Sequence, residues 1–309
     1  MSGKLIAMQL QREYWEHRGL FVYIPLVCAL LVASFCILVL VSDVSFNQKN
    51  GTDMNAMDPG FQKFLKVDET GNGLKFNFES KAFFASIIAL QQFIGWWFYT
   101  VISLFLALSY CASCLFSDRK SRDILFWRSM PVSEFWNVLI KLVVAGASVP
   151  LLTLFMNTLT NMLLLVVGGL WLGDWEQFIA ALHALPLLGN YVLGSAGLVP
   201  LLLPIFAWTM LASAYAKKSP FLGASFIPLI LLVFDRFLNH FLGINIHIYD
   251  LVNAYLQGIG ESIQISFGDA SKGYVDFAFN YSANVFIYGA IVALILGAVL
   301  WLRNNRYEI

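Results

Sequence analysis

Charged residues are scarce in this chain: they make up 12% of its 309 residues, where a soluble domain carries about 25%. That shortage, with 59% hydrophobic residues and a mean hydropathy of +0.71, excludes an ordinary water-soluble globule and reads as a polytopic integral membrane protein. Alternating segments of about ten residues, the mark of a membrane barrel, are also missing. The spans are therefore expected to be helices, the other form that satisfies its backbone in hydrocarbon.

Cysteine is rare. Cys28, Cys36, Cys111 and Cys114 all lie inside apolar runs, so neither disulfides nor a metal site is expected, although Cys111-Ala-Ser-Cys114 has a redox-like spacing. There is no Gly-x-x-x-x-Gly-Lys-Ser/Thr phosphate loop and no dinucleotide fingerprint, which removes those routes to nucleotide binding. His17, His183, His240 and His247 are scattered, no His-Glu-x-x-His occurs, and Gly-x-Ser-x-Gly is absent. Gly194-Ser-Ala-Gly197 reads as a small-residue patch for close helix packing rather than a nucleophile. No catalytic residue, metal or cofactor is expected in the chain itself. Net charge is zero, and no nucleic-acid partner is expected.

What the chain has is long apolar runs. Leu20 to Ser42, Ala82 to Ser117, Leu142 to Gly173 and Gln177 to Ala216 carry no charged residue, and roughly 20 apolar residues are enough to cross a bilayer. The reading is one all-α transmembrane domain over residues 1–309 with six spans, about 20–42, 93–116, 138–171, 187–215, 220–242 and 277–302. Residues 1–19 mix Leu5, Ile6, Met8, Leu10 and Trp15 with Lys4, Arg12, Glu13, Glu16 and Arg18, the pattern of a helix lying in the membrane interface. Segments 43–81 and 243–276 are expected on the far side. The first includes a short helix around Phe61 to Val67. The second forms re-entrant or interfacial helices, Leu251 to Ile259 and Ser262 to Phe267.

Polar residues inside the runs stand out. Asn157 and Asn161 either bond neighbouring helices or line a polar path; Asp235 and Arg236 either reach the interface or face a cavity. These four are the weak substrate-site candidates. Counting charge sets the orientation: one side collects 12 basic and six acidic residues, the other 7 basic and the remaining 13 acidic. Since cytoplasmic loops collect Lys and Arg, both termini and the loop 117–137 are expected inside the cell.

That loop, Ser117 to Lys141 in full, is the longest basic interval between apolar runs. Asp118, Arg119, Lys120, Arg122, Asp123 and Arg128 flank Ile124, Leu125, Phe126 and Trp127, which would give a short helix an apolar patch beside a basic one. Met130-Pro131 ends it, because proline disfavours helix at the preceding residue. Ser133 is a suitable N-cap for the next span, and Glu134 suits its first turn.

At these residues the chain resembles the type-2 ATP-binding cassette permease family. The resemblance rests on the interfacial N-terminal helix, the six spans, and the loop Asp118-Arg119-Lys120-Ser121-Arg122-Asp123 leading to Leu125-Phe126-Trp127-Arg128-Ser129-Met130-Pro131-Val132-Ser133, with Met130 in place of the family's commoner leucine. It implies a permease subunit of an exporter that moves a hydrophobic or amphipathic substrate across the cell membrane, expected to be a bacterial inner membrane. The partners implied are a second permease copy, lipid, and a separate ATPase subunit holding ATP and Mg. By the same resemblance Asp118, Arg119, Arg122, Asp123, Leu125, Phe126, Trp127, Arg128 and Met130 would form the coupling helix. Two other classes fit the composition: a non-transporting membrane scaffold and an intramembrane enzyme.

Overall fold

The structure is a computed structural model that describes residues 3–41, 65–67, 74–76, 81–120, 133–172, 186–216, 218–244, 246–267, 275–281 and 284–305. In chain order the elements are α1 (Gly3–Glu16), a π-helical turn (Gly19–Tyr23), α2 (Ile24–Val41), β1 (Leu65–Val67), β2 (Leu74–Phe76), α3 (Lys81–Lys120), α4 (Glu134–Leu172) and α5 (Pro186–Tyr215). They continue with α6 (Pro220–Leu242), α7 (Ile248–Ser262), β3 (Ile263–Phe267), β4 (Val275–Phe279) and α8 (Asn284–Asn305). The described chain is mostly helical. Five of its helices are long and apolar enough to cross a membrane, or six spans if the pair α1 and α2, bent by 71°, is counted as one.

Local sequence explains the helix ends. Pro186 and Pro220 open α5 and α6, where a missing N–H costs nothing. Ser133 stands just before α4, its carbonyl accepting from the amides of Trp136 (3.1 Å) and Asn137 (3.4 Å). Gly243, with φ of 65°, closes α6 in the left-handed conformation that glycine adopts without strain.

The core lies where α3, α4, α5 and α8 meet. Tyr110, Leu115, Val149, Phe206, Met210 and Val299 are all fully buried there. A second cluster joins α2 to α3 and α4 through Ala29, Tyr99, Leu106, Leu152 and Met156. Hydroxyl pairs cross the α3–α4 contact: Tyr99 with Thr160, and Ser103 Oγ with Thr153 Oγ1 at 2.9 Å. The outward faces are apolar, as Phe35, Phe226, Val233, Phe241 and Leu294 show. Such an exterior is compatible with a hydrocarbon solvent, provided the backbone is satisfied within each helix.

Several expectations need correction. The stretch read as a helix around Phe61 to Val67 ends in strand β1, which pairs antiparallel with β2 in the register Leu65↔Phe76. In place of the two short helices expected after α6, the described residues form one 15-residue helix, α7, and Ile263 to Phe267 is not helical. Instead β3 pairs antiparallel with β4, Ile263↔Phe279 through Phe267↔Val275. The physical reason is period: Ile263, Ile265 and Phe267 recur every second residue, as do Val275, Phe277 and Phe279, and that alternation suits a strand. The last helix accordingly starts at Asn284, not near Phe277. At the other end α3 continues past Phe116 to Lys120. Most of the segment 43–81 lies outside the described residues.

Packing predicts a contrast between two phenylalanines. Phe206 is fully buried between helices and Phe286 is 84% exposed. Phe206→Ala should lower the unfolding midpoint of the detergent-purified chain, at a cost of about 3 kcal/mol. Phe286→Ala should stay within about 0.5 kcal/mol of the parent.

Candidate functional site: a buried charge cluster beside the loop 117–137

Helix α1 is built inside out for a water-exposed element. Gln9 and Glu13, one turn apart, are buried, as is much of His17, whereas Met8, Leu10, Tyr14 and Trp15 are exposed. The polar stripe turns inward because it meets charges from three other helices. The reversal at His17, whose carbonyl accepts from the amides of Leu20 (2.9 Å) and Phe21 (3.1 Å), folds α1 back across the helix ends.

Asp118, at the end of α3, is the node. Its carboxylate stands 3.4 Å from Lys141 Nζ, 3.6 Å from Arg303 Nη1 and 4.0 Å from Arg12 Nη2. Lys141, from the second turn of α4, donates to Glu13 Oε1 at 2.7 Å, to Asp118 Oδ1 and to the Cys114 carbonyl, the last two at 3.4 Å. All three ammonium hydrogens are thereby used. Tyr110 Oη donates to the other Glu13 oxygen at 2.7 Å. Arg303, near the end of α8, also pairs with Glu134 at 2.9 Å. Arg12 completes the set through Glu16 at 2.6 Å. Asp118, Lys141 and Arg303 are at most 2% exposed, and Glu13 is 3% exposed.

Neighbouring contacts bring in α5. Arg119 donates to the carbonyls of Ser213 (3.1 Å) and Ala216 at the C-terminal end of α5, where the helix dipole favours a cation. The Phe116 amide donates to Ser213 Oγ at 3.0 Å. Five helices are thus tied within a few residues of the loop 117–137.

The electrostatics follow from that geometry. Burial by itself would raise the Glu13 carboxyl, but the Lys141 charge and hydrogen bond, helped by Tyr110, outweigh it and hold Glu13 below its ordinary value of 4.5. His17 is shifted down from 6.5, chiefly by burial, with Lys141 adding to the effect and Glu13 opposing it.

Glu13, Glu16 and His17 also present ligand atoms within 4.8 Å of one another. Glu13 is already held by Lys141 and Tyr110, and Glu16 by Arg12, so a cation there would have to displace existing partners beside an ammonium group. The chemistry this site offers is mechanical: charges excluded from water cannot be drawn apart singly, so the helices carrying them shift together.

Among the residues named from sequence, Asp118 and Arg119 join this junction; Arg122, Asp123, Leu125, Phe126, Trp127, Arg128 and Met130 lie outside the described residues. Asp235 is buried at the other end of the fold. Its two oxygens accept the amides of Ile246 (3.1 Å) and Tyr249 (3.0 Å), and so hold the start of α7. Arg236 lies over the Tyr249 ring, 3.8 Å from its centre. Asn157 and Asn161 bond to each other along α4 at 3.4 Å. The structure does not bring these four into one site with the charge cluster.

From sequence Glu13 belongs to the interfacial helix and Glu134 to the first turn of the next span, while Lys141 and Arg303 enter only the charge count; none of the four is a sequence candidate for a site. One signal was present: Glu134 and Lys141 are seven residues apart and share a face of α4. No protein-family model matches the chain, and comparisons with curated proteins and with solved structures likewise give no match.

Lys141→Met leaves Glu13 and Asp118 buried without their shared cation and should cost about 3–5 kcal/mol of stability. Adding Glu13→Gln removes one stranded charge and should recover part of the loss. A drop below about 1 kcal/mol for Lys141→Met would show that the cluster does not hold the helices.

Acidification tests the same groups. A lowered His17 means the unfolded chain takes up a proton more readily, so its contribution is full above 6.5 and declines as pH falls through that value. Glu13 has the same sign in a lower window, with stability lost below 4.5 as its depressed folded value is reached. Unfolding midpoints measured across pH should therefore fall in two steps. Glu13→Gln should abolish the lower step.

Proposed function

We propose that this chain is the membrane subunit of an ATP-driven exporter, of the type-2 ATP-binding cassette permease kind. It works as a dimer with a separate ATPase and moves a hydrophobic or amphipathic substrate out of the cell. The observation that carries the reading is the position of the charge cluster on both sides of the loop 117–137. Asp118 stands at the start of the loop, Glu134 near its end and Lys141 just beyond it, and Arg303 and Lys141 join the two ends. A partner gripping the loop would pull on α1, α3, α4 and α8 at once, because buried charges resist separation.

The rest of the reading is supported by composition and pattern. Five apolar helices, or six spans with the bent pair, suit a permease, and the excess of basic residues on the loop side suits the cytoplasm. Phe126 and Trp127 beside Arg122 and Arg128 have the make-up of an anchor for a groove on a soluble protein, with apolar side chains ringed by charge. ATP and Mg would be held by that partner. A conformational cycle then requires the ATPase to bind one state of the loop better than another.

Affinity purification of the tagged full chain from solubilised membranes should recover an ATPase subunit that contains a phosphate loop. Trp127→Ala should reduce that recovery about tenfold or more, as loss of an interface anchor does. Repeated recovery of no nucleotide-binding subunit would overturn the proposal.

A further inference from the structure

The small-residue patch of α5 receives a strand. Phe277 of β4 lies over Gly194, where any Cβ would come within 3.0–3.1 Å of its ring, and Phe279 occupies the space a Cβ on Gly197 would fill. Phe277 also meets Trp96 at 4.5 Å and Tyr191 at 5.7 Å between ring centres. Tyr281 Oη donates to the Gly197 carbonyl at 3.0 Å. Beneath Phe277 lie Trp96 and Tyr191, both buried, and Ser195 is buried behind them, its Oγ accepting from Trp96 Nε1 at 2.9 Å. The hairpin is thus a cover seated on glycine sockets.

Its attachment to α8 is close. Phe279 is five residues before Asn284, and Tyr288 of the first turns of α8 stacks edge-on against Tyr255 of α7, 5.0 Å between centres. Helix α8 is 22 residues long, about 33 Å from end to end at 1.5 Å per residue, and no proline interrupts it, unlike α4, α5 and α6. Tyr288, Val292, Val299 and Arg303 form one buried stripe down its length. The last of them is in the charge cluster.

The two ends of α8 are held differently. At Arg303 the buried guanidinium resists displacement, because it would be drawn away from Asp118 and Glu134, the carboxylates that neutralise it. At the hairpin the contacts are ring against glycine, which part without stranding a charge. A shift of α8 along its axis would therefore keep its grip on the cluster and slip at the hairpin.

We propose that α8 is a rod that links the charge cluster to the β3–β4 hairpin, and that the hairpin is a latch over Ser195 which loosens when the cluster is displaced. The proposal rests on reading the cluster as the junction that receives work, and its test is separate from recovery of an ATPase. In the full chain with its four cysteines replaced by alanine, Ser195→Cys serves as a reporter, read by the rate of modification with a water-soluble maleimide in detergent.

Modification should be slow in this parent. It should rise about tenfold or more on adding Phe279→Ala, since an open form that is a minor population becomes a major one. Arg303→Gln, at the far end of α8, should raise it several-fold, while Phe286→Ala, on the exposed face of the same helix, should leave it unchanged. If Arg303→Gln does not fold, Arg303→Lys carries the test, keeping a charge for Asp118 but losing the forked reach to Glu134, with a smaller rise expected. An unchanged rate in the folded Arg303 variant overturns the rod and leaves the cluster's role in partner binding standing. An unchanged rate in Phe279→Ala overturns the latch itself.

Discussion

A charge removed from water must be met by an opposite one, and much of this structure follows from applying that constraint to Asp118. It sits at the end of α3 with 2% of its surface exposed, and no single neighbour neutralises it alone. Lys141, Arg303 and Arg12 approach from three different helices, which bring Glu13, Glu134 and Glu16 in turn. For Glu13 to reach Lys141, α1 must fold back with its polar stripe inward. The 71° bend after α1 and the outward placement of Met8, Leu10, Tyr14 and Trp15 are the consequence. A helix with that exterior belongs at an apolar boundary.

The same constraint explains why the cluster is a means of positioning more than a source of stability. Desolvating several charges offsets most of their mutual attraction, and apolar residues of equal volume would hold helices together as well. Apolar residues, however, tolerate sliding. A lysine whose three hydrogens go to Glu13, Asp118 and the Cys114 carbonyl accepts one register of α1 against α3 and α4.

The helices were legible because length and uninterrupted apolarity are properties of one segment. Residues 220–242 and 187–215 could be read from their own prolines and charges, and α6 (Pro220–Leu242) and α5 (Pro186–Tyr215) fall on them. The cluster was not legible, because spacing shows which face of a helix a residue occupies and never which helix lies opposite. Glu13, Lys141 and Arg303 are separated by 128 and 162 positions. The hairpin is hidden for a different reason. Its stretches are too short and only moderately apolar, so their length says nothing beyond an inability to cross, and the period of two in 263–267 and 275–279 alone marks them as strands. Gly268, Asp269 and Gly273 between them are turn formers, so the signal was there to use. Asp235 was legible as unusual, but its task of holding the first amides of α7 depends on a return of the chain that no local pattern announces.

For helices this apolar, surroundings of lipid change which contacts give specificity. Burying leucine against leucine gains little over burying it against a lipid tail, so association depends on shape and on polar bonds. The structure divides these between its parts. Midway, Tyr99 with Thr160 and Ser103 with Thr153 pin α3 to α4. At one end full charges fix the helix termini, and at the other aromatic rings rest on Gly194 and Gly197. Buried ion pairs break at a high cost, whereas rings on glycine can separate and return without stranding a charge, and the one hydrogen bond described there, from the exposed Tyr281 to the Gly197 carbonyl, can be exchanged for water. A molecule held in this way is stiff where Asp118 gathers α1, α3, α4 and α8, and yields first at the hairpin. Motion introduced beside the loop 117–137 would therefore be expressed at the far end of the bundle rather than absorbed where it entered.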